Sequence, residues 1–108
     1  MDLFAVDAVT NFVNQAIQEL GGVDVLVYNP PHVTKNLISK VGLEDWQQAF
    51  DGTYKSMVAA TEAVLPSMSK QKSGSIVINS SLAAIEPIDA LSLSSVLRGG
   101  IDNWVKLM

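Results

Sequence analysis

Residues 21–28 read Gly-Gly-Val-Asp-Val-Leu-Val-Tyr and run directly into Asn29-Pro30-Pro31. The paired glycines end whatever precedes them, because glycine takes the left-handed cap conformation without a Cβ penalty. Val23 to Tyr28 is short, β-branched and almost continuously apolar, which predicts a strand buried on both faces of a parallel sheet. The prolines close it, since proline cannot donate to a ladder.

Upstream of the glycines, Val9, Phe12, Val13, Ala16, Ile17 and Leu20 fall on one stripe at helical spacing, so residues 7–20 read as an amphipathic helix. Downstream, a loop reaches Gly42 and a long helix is predicted over 43–69. Trp46, Phe50, Thr53, Met57, Ala60 and Val64 make one stripe of it, and Tyr54, Val58, Thr61 and Leu65 make a second beside the first. A helix that is apolar on two sides needs two partners, such as its own sheet and a neighbouring subunit. Lys70 to Gly74 is a polar turn, and Ser75-Ile76-Val77-Ile78-Asn79 is a second strand of the buried type. Strand, helical crossover and strand make a βαβ unit, right-handed in nearly all folds. A last helix starts near Ser92, and its stripe of Leu93, Leu97, Ile101, Trp104 and Met108 continues to the final residue.

The order α-β-α-β-α places the chain in the α/β class, as part of a doubly wound, Rossmann-like parallel sheet. Two parallel strands alone leave unpaired edges and uncovered faces. The expectation is therefore that residues 1–108 are the central part of one domain, without its Gly-rich N-terminal βα units and its C-terminal strands. A compact domain of three helices and two strands is the alternative.

Composition narrows the function classes. The 108 residues are 48% hydrophobic and carry a net charge of −4 without a Lys/Arg cluster, which speaks against nucleic acid or an anionic membrane as partner. There is no cysteine, hence no disulfide and no thiolate metal site, which fits a reducing cytoplasm. The single histidine, His32, sits in a proline-flanked loop and reads as a solvated residue; no metal site is expected. No apolar run reaches the ~18 residues of a membrane span, and the N-terminus lacks a secretory pattern.

GGVDVLVY followed by Asn29-Pro30-Pro31 resembles the short-chain dehydrogenase/reductase family, in which a GGIDVLVNNAG-like strand and turn close part of the cofactor site. The likeness continues through Leu43-Glu44-Asp45-Trp46, Ala63-Val64-Leu65-Pro66 and Ser73-Gly74-Ser75-Ile76-Val77-Ile78-Asn79-Ser80-Ser81. Order and spacing together carry it. Within the family the pattern is closest to a divergent branch like the 3-oxoacyl-carrier-protein reductases. The halohydrin dehalogenases are similar in placing Arg at the lysine position, but they keep a tyrosine that is missing here.

The resemblance implies a site. Ser81 matches the family's catalytic serine, Ser94 stands at the tyrosine position, Arg98 at the lysine position and Thr53 at the asparagine position. Ser81 alone is retained as such. Asn29, Pro30, Pro31 and Arg98 are expected to line a cofactor pocket, and Asp2 matches an acidic residue near the adenine. The cofactor implied for the full-length parent is NAD or NADP, and the substrate a small carbonyl or alcohol. The Gly-rich phosphate turn has no counterpart in these residues, so this chain alone is expected to bind cofactor weakly and to be inactive. A phenol beside a cation can exchange protons near neutrality, whereas an aliphatic hydroxyl cannot and Arg keeps its charge. The same residues also have plain readings: Ser81 as a turn starter, Ser94 bonding its own helix backbone, Arg98 on a solvated face, Thr53 in packing. Two functions follow, an NAD(P)-dependent oxidoreductase or a non-catalytic binding and assembly protein of the same descent. Homo-oligomerisation through helices 43–69 and 92–108 is expected with either.

Overall fold

The computed structural model describes residues 1–108. Helix α1 spans Val6–Leu20 and ends on Gly21 at φ 76°, in the left-handed region that the Gly-Gly pair predicts. Strand β1 is Val25–Tyr28. Helix α2 (Leu43–Phe50), a π-helical turn (Asp51–Lys55) and helix α3 (Ser56–Gln71) follow one another without a break. Strand β2 is Ser75–Ile78, and helix α4 is Ser92–Leu107. Short 3₁₀ turns lie at Ile38–Lys40, Leu82–Ala84 and Asp89–Leu91. No helix is long and apolar enough to cross a membrane.

The strands pair in parallel, Val25 with Ser75 through Tyr28 with Ile78. The pairing runs past both ends, with Ser75 N–H donating to Asp24 O and Asn79 N–H to Tyr28 O, each at 2.9 Å. Val9 and Val13 of α1, Met57, Ala60, Val64 and Met68 of α3, and Ile101 of α4 form the core together with Tyr28. Leu26, Ile76 and Ile78 pack onto that core from the sheet. A smaller cluster joins Ala49 of α2 to Leu93 and Leu97 of α4.

Two expectations require correction. The strands are not buried on both faces: Leu26 and Tyr28 point into the core, whereas Val25 and Val27 are 53% and 66% exposed and Val77 is exposed with them. The core draws on α1, α3 and α4 only from the side of Leu26, Tyr28, Ile76 and Ile78. Side chains alternate along a strand, so every second residue is left facing outward. Residues 43–69 are also not one regular α-helix. The π-turn inserts at Asp51–Lys55, and the helix runs on to Gln71. Thr53, Met57, Ala60 and Val64 of the first predicted stripe and Thr61 of the second are buried, whereas Phe50 of the first and Leu65 of the second are exposed. Likewise Phe12 and Leu20, on the predicted stripe of α1, are exposed.

The π-turn is where β1 meets the helix. The Tyr28 hydroxyl donates to the Gly52 carbonyl at 2.6 Å in a buried contact. Gly52 also lets Phe4 and Pro31 close over the turn, because a Cβ there would lie 2.6 Å from the Phe4 ring and 2.8 Å from Pro31 Cγ. Four residues on, the Ser56 hydroxyl donates to the Leu3 carbonyl and straps the N-terminal segment to the same turn. On the far side, Gly100 of α4 lies against the Tyr54 hydroxyl with no room for a Cβ.

Burial pushes the Tyr28 phenol up to about 12 from an ordinary 10.0, and a hydrogen bond with Ser56 offsets part of that rise. Between these values the unfolded chain releases the tyrosine proton while the folded chain retains it. The stabilisation is therefore complete below about pH 10 and is lost as pH climbs toward 12. Urea titrations of the wild type are expected to show that decline. Tyr28→Phe should flatten it and cost about 1 kcal/mol at neutral pH through loss of the hydroxyl bond.

Candidate functional site

Parallel α/β sheets place ligands beyond the carboxyl ends of their strands. Each strand is followed at once by an asparagine, and Asn79 Nδ2 donates to Asn29 Oδ1 at 2.9 Å across the gap. Beyond this pair opens a cleft of about 530 Å³. The turn after β1, the segment after β2 and the first turns of α4 all contribute to its wall.

Arg98 holds those three parts together. Its Nε donates to Ser94 Oγ at 3.0 Å, one helical turn earlier on α4. Its Nη1 donates to the Asn79 carbonyl at 3.0 Å and its Nη2 to the Pro30 carbonyl at 3.4 Å. One guanidinium thus spans the ends of β1 and β2 and its own helix. This suits a planar fork with several fixed N–H directions better than an ammonium. Burial lowers the Arg98 pKa from its ordinary value, and the cation has no carboxylate within salt-bridge distance.

The serines differ in what their hydroxyls have left to give. Ser81 Oγ accepts from Ala83 N–H at 3.2 Å, starting the short 3₁₀ turn, so its own proton remains available toward the cleft. Ser94 Oγ accepts from Arg98 in the same way. Ser80 also lines the cleft, but it donates to Asp102 Oδ1 at 3.1 Å. Two more serines of α4 set the wall. Ser92 Oγ donates to the Asn36 carbonyl at 2.6 Å and pins the loop after β1 to the start of α4. Ser95 Oγ donates to the Leu91 carbonyl at 2.8 Å and accepts from Ile88 N–H at 3.1 Å.

Six of the residues singled out in the sequence therefore face one cleft: Asn29, Pro30, Pro31, Ser81, Ser94 and Arg98. Two do not. Thr53 is 3% exposed in the π-turn and lies in the packing, as its place on an apolar stripe allows. Asp2 is exposed outside the cleft, with its carboxylate accepting from Phe4 N–H at 2.9 Å. Sequence reasoning missed His32, Thr34 and Lys35, all in the cleft wall, along with Asn79 and Ser80. Their position was the signal. They follow directly on the carboxyl ends of the two strands.

The Arg98 clasp is open to measurement. In Arg98→Lys a single ammonium cannot reach Ser94, Asn79 and Pro30 together. The variant is expected to lose about 1–2 kcal/mol of stability in urea unfolding. Amide exchange at His32–Val33 and Asn79–Ser81 should speed up, and unchanged exchange at both strand ends would show that Arg98 is no clasp.

Comparison with known proteins gives a consistent picture. Residues 1–106 match the profile of the family described as short chain dehydrogenase. The chain is 32% identical over 107 residues to the acetoacetyl-CoA reductase of Acinetobacter sp., covering 99% of this chain and 43% of that protein. It is 38% identical over 97 residues to dehydrogenase/reductase SDR family member 4 of Oryctolagus cuniculus, covering 87% and 36%. A 3-oxoacyl-[acyl-carrier-protein] reductase of Thermotoga maritima is 34% identical over 79 residues, covering 73% and 32%. The crystal structure of a short-chain dehydrogenase from Streptomyces avermitilis superposes with a TM-score of 0.90 at 21% identity, over 98% of this chain and 39% of that one. The chain thus spans about two fifths of the length of the first of these relatives.

Proposed function

The chain belongs to the short-chain dehydrogenase family and carries its Rossmann-like α/β fold, and on that premise we propose that its cleft serves hydride transfer between a nicotinamide nucleotide and a small carbonyl or alcohol. The observation that carries this reading is the placing of Ser81 and Ser94, two hydroxyls that each accept a bond from the chain and keep a proton for a ligand in one cleft.

Fit to the cofactor can be judged from the donors present. Hydroxyls, the side-chain amides of Asn29 and Asn79 and the Arg98 guanidinium suit a ribose and a carboxamide, which exchange hydrogen bonds in both directions. Nothing in the cleft is a Gly-rich turn opening a helix, the usual cradle of a pyrophosphate. The residues fit the nicotinamide-ribose end and not the rest, so the 108-residue chain alone holds NAD(P) weakly. When bound, the nicotinamide supplies or takes the hydride.

The chain's own residues then have separate tasks. Ser81 donates to the substrate oxygen and stabilises the negative charge that builds on it during reduction. Ser94 passes a proton between that oxygen and water, since its hydroxyl is too weak an acid to ionise itself. Arg98 keeps Ser94 and both strand ends in register and leaves its charge beside the developing alkoxide. With NADH or NADPH and a panel of ketones, aldehydes and alcohols, the full-length protein should turn over at least one pair. Ser81→Ala should lower kcat/KM about 10²-fold, with no more than about 1 kcal/mol of stability lost with the turn bond to Ala83.

A second reading, binding without turnover, is favoured by one observation. Arg98 spends three donor directions on Ser94, Asn79 and Pro30, and no phenol or ammonium occupies the positions of Ser94 and Arg98. Absence of turnover across the whole panel, with ligand binding retained, would establish it.

Either reading includes a homo-oligomer built through α2–α3 and α4. Leu65 on α3 and Val96 and Val105 on α4 are exposed apolar side chains on those helices. Sedimentation equilibrium is expected to show a dimer or larger species. Val105→Glu should weaken it more than Val27→Glu on the bare sheet face. A monomer at high concentration would remove the oligomer from the proposal.

A further inference from the structure

The chain carries net charge −4, yet the cleft wall holds Arg98, Lys35 and His32 and neither an aspartate nor a glutamate. Elsewhere Lys55 bonds Asp51 at 2.9 Å, the one salt bridge of the fold, and the half-buried Asp102 stands behind the cleft wall, accepting from Ser80 at 3.1 Å. Arg98 is different. It is half-buried, it contacts only neutral oxygens, and burial is the sole influence on its pKa. A desolvated cation without a counter-charge is a standing cost, and an anion placed against it recovers that cost. A guanidinium has more N–H bonds than the three used on Ser94, Asn79 and Pro30, so donors remain for such an anion.

Lys35 gives the cleft a second cation on a separate element. It sits in the exposed loop after β1, next to Thr34, and faces the same space as Arg98, which enters from α4. The loop is not adrift, because Ser92 holds its Asn36 carbonyl at 2.6 Å. Hydroxyls of Ser81, Ser94 and Thr34 line the same cleft as the two cations. A neutral ligand would use the hydroxyls and leave the half-buried Arg98 without a counter-charge, while the exposed Lys35 keeps its water. An oxyanion uses all of them.

We propose that the cleft selects an anionic ligand, specifically a carbonyl compound that bears a carboxylate or phosphate, with Lys35 and Arg98 receiving the anion and Ser81 meeting the carbonyl oxygen. This rests on the hydride-transfer reading for the role of Ser81, but the anion site stands on the charges alone. Lys35 is a specificity-determining residue in this account and takes no part in the chemistry.

The experiment is a calorimetric titration of the full-length protein without cofactor, at low ionic strength, with acetoacetate, its methyl ester and inorganic phosphate as probes. Acetoacetate should bind at least about tenfold more tightly than the ester, which is about 1.4 kcal/mol. Its affinity should fall with added salt, and phosphate should compete with it. Lys35→Gln, at an exposed position where folding is not at risk, should remove most of the preference and flatten the salt dependence. Equal affinity for acid and ester, or a preference indifferent to Lys35→Gln, overturns the proposal. Phosphate binding that acetoacetate does not displace would assign the cations to a cofactor phosphate and also overturn it. Turnover assays with NADH or NADPH keep the two readings apart. Selective acetoacetate binding without turnover supports the anion site and removes the oxidoreductase reading, whereas equal turnover of acid and ester does the reverse.

Discussion

The buried bond from the Tyr28 hydroxyl to the Gly52 carbonyl is the contact on which the arrangement turns. It joins the last residue of the first strand to a π-turn in the crossover helix, and that turn is also where Ser56 receives the N-terminal segment and Tyr54 receives α4. A π-turn widens the helix locally and interrupts the regular ladder, which is why such turns recur where a helix must meet several partners at once. With β1 tied there, its carboxyl end is fixed relative to α4, and the cleft inherits that geometry. Gly52 and Gly100 admit the close approaches, and a methyl group at either would collide with a ring or a hydroxyl.

At the open end of the sheet the same task falls to one cation. Arg98 replaces a web of separate contacts with a single fork, and the Asn29–Asn79 amide pair closes the other side. The arrangement is economical in residues and costly in electrostatics. Neutral carbonyls solvate a guanidinium less well than water and far less well than a carboxylate, so the charge stays partly unanswered. That residual field, in a chain that is acidic elsewhere, distinguishes the cleft from the two apolar hollows on the same molecule, one beside Trp104 and Met108 and one beside Leu37 and Ile88.

Much of this was legible in the sequence, and the exceptions have physical reasons. The Gly21-Gly22 stop, both strands and the start of α4 follow from local rules, because caps and periodicity are properties of a few neighbouring residues. The bare face of the sheet was legible only in part: two parallel strands alone leave faces uncovered, but the apolar runs read as burial on both sides. A continuous apolar run says that a strand can be buried on both sides, not that partners lie on both. Val25, Val27 and Val77 are the result. The π-turn was hidden, since Asp51-Gly52-Thr53-Tyr54-Lys55 keeps helical spacing and only the tertiary contact with Tyr28 marks the insertion. For the site, Ser81, Ser94 and Arg98 could be placed by spacing, but their bonding could not. That Ser94 is held by Arg98, and not by its own backbone, needed coordinates. His32 reads only as a solvated loop residue and Lys35 is not singled out, because loop residues carry no periodic signal.

The chemistry left to the cleft is that of hydrogen bonding more than of acid catalysis. A positioned general acid contributes about 10² to 10⁴ in rate when its pKa lies near the working pH, and a serine hydroxyl lies far above it. In the hydride-transfer reading that contribution must come from somewhere else. A hydroxyl aimed at the charge that develops on the substrate oxygen is worth about 10² to 10³, of similar size. A fixed guanidinium nearby adds to it without moving a proton. In that reading Ser94 and Arg98, at the positions where the resemblance implies a phenol and an ammonium, shift the work from proton transfer to charge stabilisation. Stabilisation of that kind is most effective where water is scarce, and Arg98 is already half-buried in the cleft wall.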